Sequence, residues 1–592
     1  MEKKYFWIIL LTFALANISI ILGIPVIQQI LGFLFFAFVP GILVLAALRV
    51  DKISSWEYAL YAIGLSILLM MVCGAAINFG YPLMDITQEP LSKSSVLFSL
   101  DALIILLFIF AIYRAGEIDI SFLPEDTGRK PKILFYVFPF LILSLSLAGI
   151  FLMNNFSNNI LLLAMIALIG LYVLLIVLNR RTLSGEIYPL AIFVIALSLM
   201  LMAGLRSDHI IGWDVHGEMM VFQLAKEKSS WNPYIFKNAY NTCLSITILP
   251  TILQRLTAIS DEYIYKLLFQ IIFAFFPIGV YLLGRRFFDK IPAFIGCMFL
   301  MSQTTFTTLH ISTLRNEIAL LFFVLTFLAL LDNELKNKHP LFLLFGTGLV
   351  LSHYSTAFIF LFLIAMKEFT FSFKPLKKMI NYHKTITFLT VLLFFAMIFF
   401  WYGQVTDYSF SSIVENLKES FDSMKNFFLL DARSPVISSA LGIEASESPA
   451  IYLFTLGVGT IARIFLTLGV IYLIFNFKKT EMRKDYALLC ILSFCIFILA
   501  IIAPQISNAY NLERIYMLSL VFICPLIILG GRVLFKRKAE VIITIIILIY
   551  FFNQIAFTTQ IMGFKESFFL NSDCKLCGKP VRQRPASPAS FP

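Results

Sequence analysis

The segment Arg206-Ser-Asp-His-Ile-Ile-Gly-Trp-Asp-Val-His-Gly-Glu218 gathers Asp208, His209, Asp214, His216 and Glu218 between two stretches of very apolar sequence. Ionisable groups beside such stretches are costly to keep and usually have a task. Carboxylates and imidazoles can accept a proton from a nucleophile or hold a divalent cation. Asp214 and Glu218 are spaced i, i+4, so a helix would put them on one face and turn His216 elsewhere. An extended segment would align all three. The same spacing fits a helix start, with Asp214 as N-cap and Glu218 in the first turns.

Further groups of the same kind recur at intervals. His310, Arg315 and Glu317 lie in or next to the short segment 309–316. His353 stands in Ser352-His-Tyr-Ser355 between two tightly spaced apolar runs. Arg463 interrupts an apolar run, and Arg514 ends the polar segment Asn508-Ala-Tyr-Asn-Leu-Glu-Arg514. Arginine forks match phosphate oxygens. Arg315, Arg463 and Arg514, with His353, are therefore the candidates to bind an anionic substrate group. His216, His310 and Glu317 are the candidates to hold a divalent metal such as Mg or Mn.

The elements that must position these groups are membrane helices. The chain of 592 residues is 60% hydrophobic and 14% charged, where a soluble globular chain is nearer a quarter charged. Its apolar runs approach the roughly 20 residues that cross a bilayer as helix, and lipid leaves the backbone few other options. The expected fold is an all-α polytopic membrane protein. Hydropathy places spans near 5–23, 26–48, 57–80, 95–113, 133–153, 160–178 and 187–205. Others follow at 264–284, 291–308, 317–331, 341–352, 355–371, 385–402, 455–475, 486–503, 515–531 and 539–557, about 17 crossings in all. The net charge of +11 reads as topological, with no nucleic-acid partner. Basic clusters such as Arg180-Arg181, Arg285-Arg286, Lys478-Lys479 and Arg532 to Lys538 fall on alternate connections. They place the N-terminus in the cytoplasm and loop 206–262 outside the cell membrane. Most of the eight cysteines sit inside apolar runs and read as small hydrophobes.

Three regions follow: an N-terminal six-span block (1–186), a membrane module (187–557), and a tail (558–592) expected to be disordered, carrying the lone pair Cys574 and Cys577. Pro40-Gly41 inside the second run reads as a helix kink. Within loop 206–262, Val221 to Lys228 reads as a short amphipathic helix, Trp231-Asn-Pro-Tyr234 as a turn, and Leu244 to Leu256 as a segment lying along the interface. A second long outer segment, 403–450, holds Asp407, Asp422, Asp431 and Arg433.

One apolar span, then an outer loop opening on an acidic motif, then many more spans, resembles the GT-C superfamily of integral-membrane glycosyltransferases. That group includes protein O-mannosyltransferases, oligosaccharyltransferase catalytic subunits and aminoarabinose transferases. The resemblance covers residues 187–557, and the first six spans resemble an archaeal-type membrane block of unknown function. It implies a GT-C-like helical bundle whose donor is a sugar on polyprenyl or dolichyl phosphate, transferred at the extracytoplasmic face to a lipid, glycan or protein. Asp214 matches the acidic residue that acts there as base or metal ligand, with Glu218 as its companion. Segment 309–316 lacks the second Asp-x-Asp or Asp-x-Glu of the oligosaccharyltransferase branch, and no large outer domain follows the last span. Transfer of a monosaccharide fits better than transfer of an oligosaccharide. The alternative is a transporter or flippase of lipid-linked sugars.

Overall fold

The computed structural model describes residues 3–51, 53–115, 133–372, 386–407, 449–502 and 511–563, together with Lys418, Asp422 and Leu570. Asp431, Arg433, the pair Cys574 and Cys577, and most of the segment 403–450 and of the tail lie outside them. Helices and turns make up the described residues, which contain no strand. The first six helices are α1 (Lys3–Leu22), α2 (Ile27–Ala47), α3 (Ser55–Leu83), α4 (Lys93–Ala115), α5 (Ile133–Phe156) and α6 (Ile160–Leu178). Then come α7 (Ile187–Gly204), α8 (Asp214–Glu227), α9 (Ile248–Thr257) and α10 (Asp261–Arg285), the last with a π-helical turn at Ile264–Leu268. Next are α11 (Lys290–Met301), α12 (Thr304–Ser312), α13 (Leu314–Leu330), α14 (Lys338–Ser352) and α15 (Tyr354–Ser372). The chain continues as α16 (Phe388–Val405), α17 (Pro449–Phe475), α18 (Lys484–Ile502), α19 (Leu512–Ile523), α20 (Leu526–Phe535) and α21 (Ala539–Gln554).

Eleven of these helices are long and apolar enough to cross a membrane, or twelve if α19 to α21, bent by 65°, count as one span. The chain is thus a multi-pass all-α membrane protein. Several of the seventeen expected segments form shorter helices. The run 291–308 is divided between α11 and α12, and 341–352 ends in α14, 15 residues long. On the periphery, α4 and α5 leave large apolar side chains such as Phe98, Tyr113 and Phe140 exposed, as lipid-facing helices do. At the centre, every residue of α13 is buried.

The Pro40-Gly41 step does more than kink a helix. Proline removes a donor from the ladder, and the next amide, Gly41 N–H, donates to Ser66 Oγ of α3 at 2.8 Å. The carbonyl oxygen of Ala62 lies 1.9 Å from where a Cβ on residue 41 would stand. Only glycine lets α2 and α3 meet this closely.

The first six helices tie down the segment between α7 and α10. Asn78 of α3 pairs with the backbone of Trp231 in both directions, each bond 2.7 Å. Gln28 of α2 donates to the Leu256 carbonyl at 2.9 Å, and Leu91 N–H donates to the Ser229 carbonyl at 2.7 Å. Segment Leu244 to Leu256, expected along the interface, instead forms the buried helix α9, packed on α2, α3 and α4. The reason is that an apolar face finds helix neighbours here, not lipid.

The double bond at Asn78 yields a direct expectation. Asn78→Ala leaves a buried N–H and carbonyl unpaired and should cost about 1–3 kcal/mol. It should also open residues 228–242 to limited proteolysis before the protein melts in detergent. An unchanged cleavage pattern would mean the segment is held by other contacts alone.

Candidate active site

Helix α8 forms because its apolar residues recur at helical spacing. Val215, Met219, Phe222 and Ala225 are buried along one stripe, and Glu218 lies on the same stripe. The helical alternative for this segment therefore holds. His216 is turned to the exposed side, away from Glu218. Asp214 is not the N-cap. That position belongs to Trp213, and Asp214 is the first helical residue. The chain reaches α8 through Gly212, whose φ of +129° is open only to glycine and whose missing Cβ would meet Ser312 at 2.3 Å.

Helix α13 begins directly beneath α8. Its first free backbone donor, Leu314 N–H, is accepted by Glu218 Oε2 at 2.8 Å. A carboxylate at a helix N-terminus satisfies an orphan amide and suits the helix dipole. Arg315, the next residue, extends one guanidinium nitrogen to Glu218 Oε1 and the other, at 2.9 Å, to Asp214 Oδ2. Arg514, from the first turn of α19, reaches the same Oδ2 at 2.5 Å. Tyr240 donates its hydroxyl to Asp214 Oδ1 at 3.2 Å, and its ring lies 4.4 Å beneath the Arg315 guanidinium. Tyr265, in the π-helical turn of α10, donates to the Glu218 carbonyl at 3.1 Å.

Residues scattered over 300 positions thus meet as two carboxylates, two guanidinium groups and a phenol. Asp214 and Arg514, with Trp213, Ser312 and Asn511, line a cavity of about 350 Å³, within the range of small-ligand sites. Trp213 is 95% exposed and stands at its mouth.

The two carboxyls are driven apart. Burial pushes Glu218 up to about 7, against the pull of Arg315 and the Leu314 amide. Burial also acts on Asp214, but Arg315 and Arg514 together outweigh it and hold that carboxyl below its ordinary 3.8. Asp214 is ionised at neutral pH and borders the cavity. Glu218 is fully buried under Arg315 and does not line it. The two carboxylates are thus placed differently: Asp214 borders the cavity, and Glu218 holds Arg315 behind it.

The other candidates divide. His353 is buried between Thr356 Oγ1, at 2.7 Å, and Ser355 Oγ, at 3.0 Å, with Arg315 and Arg514 as charged neighbours. Arg463 donates to the Gly459 carbonyl of its own helix at 3.1 Å and has Tyr516 and Tyr550 beside it. It does not touch the cluster. Glu317 is buried, with Gln270 as the side chain facing its carboxyl, and it does not pair with Arg315. The side chain of His310 lies outside the described residues. Among the described residues no three His, Cys, Asp or Glu gather to hold a metal ion. Two guanidinium groups on the carboxylates make a setting that favours anions over a divalent cation. His216 and Glu317, one exposed and one buried on a different helix, form no common ligand set.

Tyr240 and Tyr265 were not found from sequence. Each stands in a polar stretch of its own, Lys237 to Thr242 and Ser260 to Lys266, and only the fold brings them to α8.

Residues 338–570 match a family described as "Predicted membrane protein (DUF2206)". No curated protein matches the chain, and no solved structure does. The matched region contains His353 and Arg514, whereas Asp214, Glu218 and Arg315 precede it.

The raised Glu218 and lowered Asp214 carboxyls predict opposite pH slopes. Between about 4.5 and 7 the folded chain holds a proton on Glu218 that the unfolded chain releases. Stability therefore falls as pH rises through that window. Asp214 contributes stability above its ordinary 3.8, lost only as pH drops through its lower folded value. Melting of Glu218→Gln in detergent from pH 5 to 8 should be flatter than that of the parent protein. Equal slopes would assign the effect to another group.

Proposed function

We propose that this chain is an integral-membrane glycosyltransferase that moves a sugar from a polyprenyl- or dolichyl-phosphate-linked donor to a lipid, glycan or protein at the extracytoplasmic face. The observation that carries this reading is Asp214 Oδ2, held by Arg315 and Arg514 at the wall of a 350 Å³ cavity beside the membrane helices. A carboxylate and two arginines are what such a transfer requires of the protein. The acceptor oxygen or nitrogen attacks the anomeric carbon while the bond from that carbon to the donor phosphate breaks. The electron pair leaves with the phosphate, whose charge Arg514 neutralises while Arg315 holds the carboxylates behind it. The acceptor proton passes to Asp214.

The paired state explains how one carboxylate could do this. With both guanidinium groups on Oδ2, Asp214 is a weak base. A donor phosphate in the cavity competes for Arg514, takes a cation from Oδ2 and adds negative charge nearby. Both effects raise the Asp214 pKa towards the working range. Arg315 stays in place because Glu218 holds its other nitrogen.

A flippase would need polar groups along a path through the bilayer. The charged cluster instead sits at one end of α13, whose remaining length from Ile318 to Leu330 is apolar apart from Thr326. This supports the enzyme over the transporter. The outward orientation rests on the alternation of basic connections.

The test is transfer from radiolabelled polyprenyl-phosphate sugars by purified protein, with and without chelator. Asp214→Asn should insert and elute normally yet lose about 10²–10⁴-fold in rate. Arg514→Ala should raise the KM for donor more than it lowers kcat. Full activity of Asp214→Asn would sink the reading. Loss of transfer on chelation would restore a metal to it.

A further inference from the structure

The span α10 starts beside the carboxylate cluster, where Tyr265 touches Glu218, and ends at Arg285. At 25 residues it runs about 37 Å. A second cavity, of about 700 Å³, opens at this far end, between the C-termini of α10, α17 and α20. Its lining carries four cations, Arg285, Arg286, Lys479 and Arg532, against two carboxylates, Asp289 and Glu481.

The cations of the lining are not equally engaged. Arg286 is matched by Glu57 at 2.5 Å and Asp332 at 2.7 Å. Glu540, by contrast, serves two arginines, Arg532 at 3.1 Å and Arg180 at 3.2 Å. Arg285 makes a bond to the Phe288 carbonyl at 3.1 Å, which uses one of its five donors. Lys479 is exposed. Among the described residues Arg285 and Lys479 make no ion pair, and Arg532 shares its carboxylate with Arg180, so these three keep donors for the opening, which Asp289 and Glu481 also border.

One side of the opening is less polar. Tyr472 and Leu529 line the cavity. The flanking Phe475 of α17 and Leu534 of α20 are exposed, at 84% and 59%. Side chains this apolar and this exposed at a helix end mark the boundary between acyl chains and headgroups.

We infer that this cavity binds the phosphate headgroup of a membrane lipid, with Lys479, Arg532 and Arg285 around the phosphate and the acyl chains descending along α17 and α20. Basic pockets between membrane helices bind anionic headgroups in this way. The exposed apolar side chains of Phe475 and Leu534 beside the opening favour a lipid over free phosphate. The inference does not depend on sugar transfer at the opposite end.

The experiment is native mass spectrometry of the full chain released from mixed micelles of phosphatidylglycerol and diacylglycerol. The protein should retain phosphatidylglycerol and not diacylglycerol, with retention unaffected by millimolar inorganic phosphate. The double variant Lys479→Gln/Arg532→Gln should retain it roughly 30-fold less, about 1 kcal/mol for each cation. The charge-keeping pair Lys479→Arg/Arg532→Lys, and Lys228→Gln at the opposite end, should behave as the parent protein, which separates lost binding from lost folding. Equal retention of diacylglycerol, undiminished retention in the double glutamine variant, or release by inorganic phosphate would each overturn the inference.

Discussion

Arg315 stands in the first turn of a helix that is buried over its whole length, and a guanidinium group cannot be left there alone. Removing one partner of a buried ion pair typically costs 3–5 kcal/mol, so the fold must bring anions to it. Glu218 and Asp214 answer that demand from one face of α8, one turn apart. The constraint works in both directions. Arg315 fixes where α8 lies, and Glu218, by accepting the Leu314 amide, fixes where α13 begins. The start of α8 then sets one wall of the cavity. Arg514 on α19 closes the set because α12, which links α11 to α13, packs against α19.

Placing so many charges beside a bilayer needs a rigid surround, and the first six helices supply much of it. They take no direct part in the cluster. Instead α2 and α3 hold the segment between α7 and α10 through Asn78 and Gln28, and they cover α9. The close seam of α2 and α3 at Gly41 and Ala62 makes this support compact. A block that is separate by sequence is therefore continuous in packing with the helices that carry the site.

Much of this was legible in the sequence, for identifiable reasons. Apolar runs near bilayer length reveal membrane helices whatever their arrangement, and the 13-residue acidic segment announces itself by its cost. The i, i+4 spacing of Asp214 and Glu218 held because Val215, Met219 and Phe222 repeat at the same period. What local pattern could not carry was partnership. Glu513 stands next to Arg514 in the chain, yet Arg514 pairs with Asp214, 300 positions away. Arg315 and Glu317, two apart on a helix, point to different sides and do not meet. Tyr240 enters only because its loop folds across α8. The number of crossings is less legible for a related reason. Buried helices such as α13 and α14 are as apolar as lipid-facing ones but shorter, and hydropathy does not distinguish protein surroundings from lipid.

The cluster is unevenly exposed, and that asymmetry bears on what it can do. Side-chain exposure is 0% at Glu218 and 3% at Arg315, but 26% at Asp214 and 12% at Arg514. A fully desolvated pair has no competing partner within reach, so Glu218 and Arg315 are fixed. Asp214 and Arg514 border the cavity, where an incoming anion can replace the carboxylate on Arg514 without exposing a bare charge. Exchange there costs little because one charge-assisted hydrogen bond is substituted for another. The resting site thus holds its own carboxylate in the place a substrate anion would take. On the proposed reading, binding of that anion and release of Asp214 from Arg514 are one event, and the buried half of the cluster keeps the geometry through it.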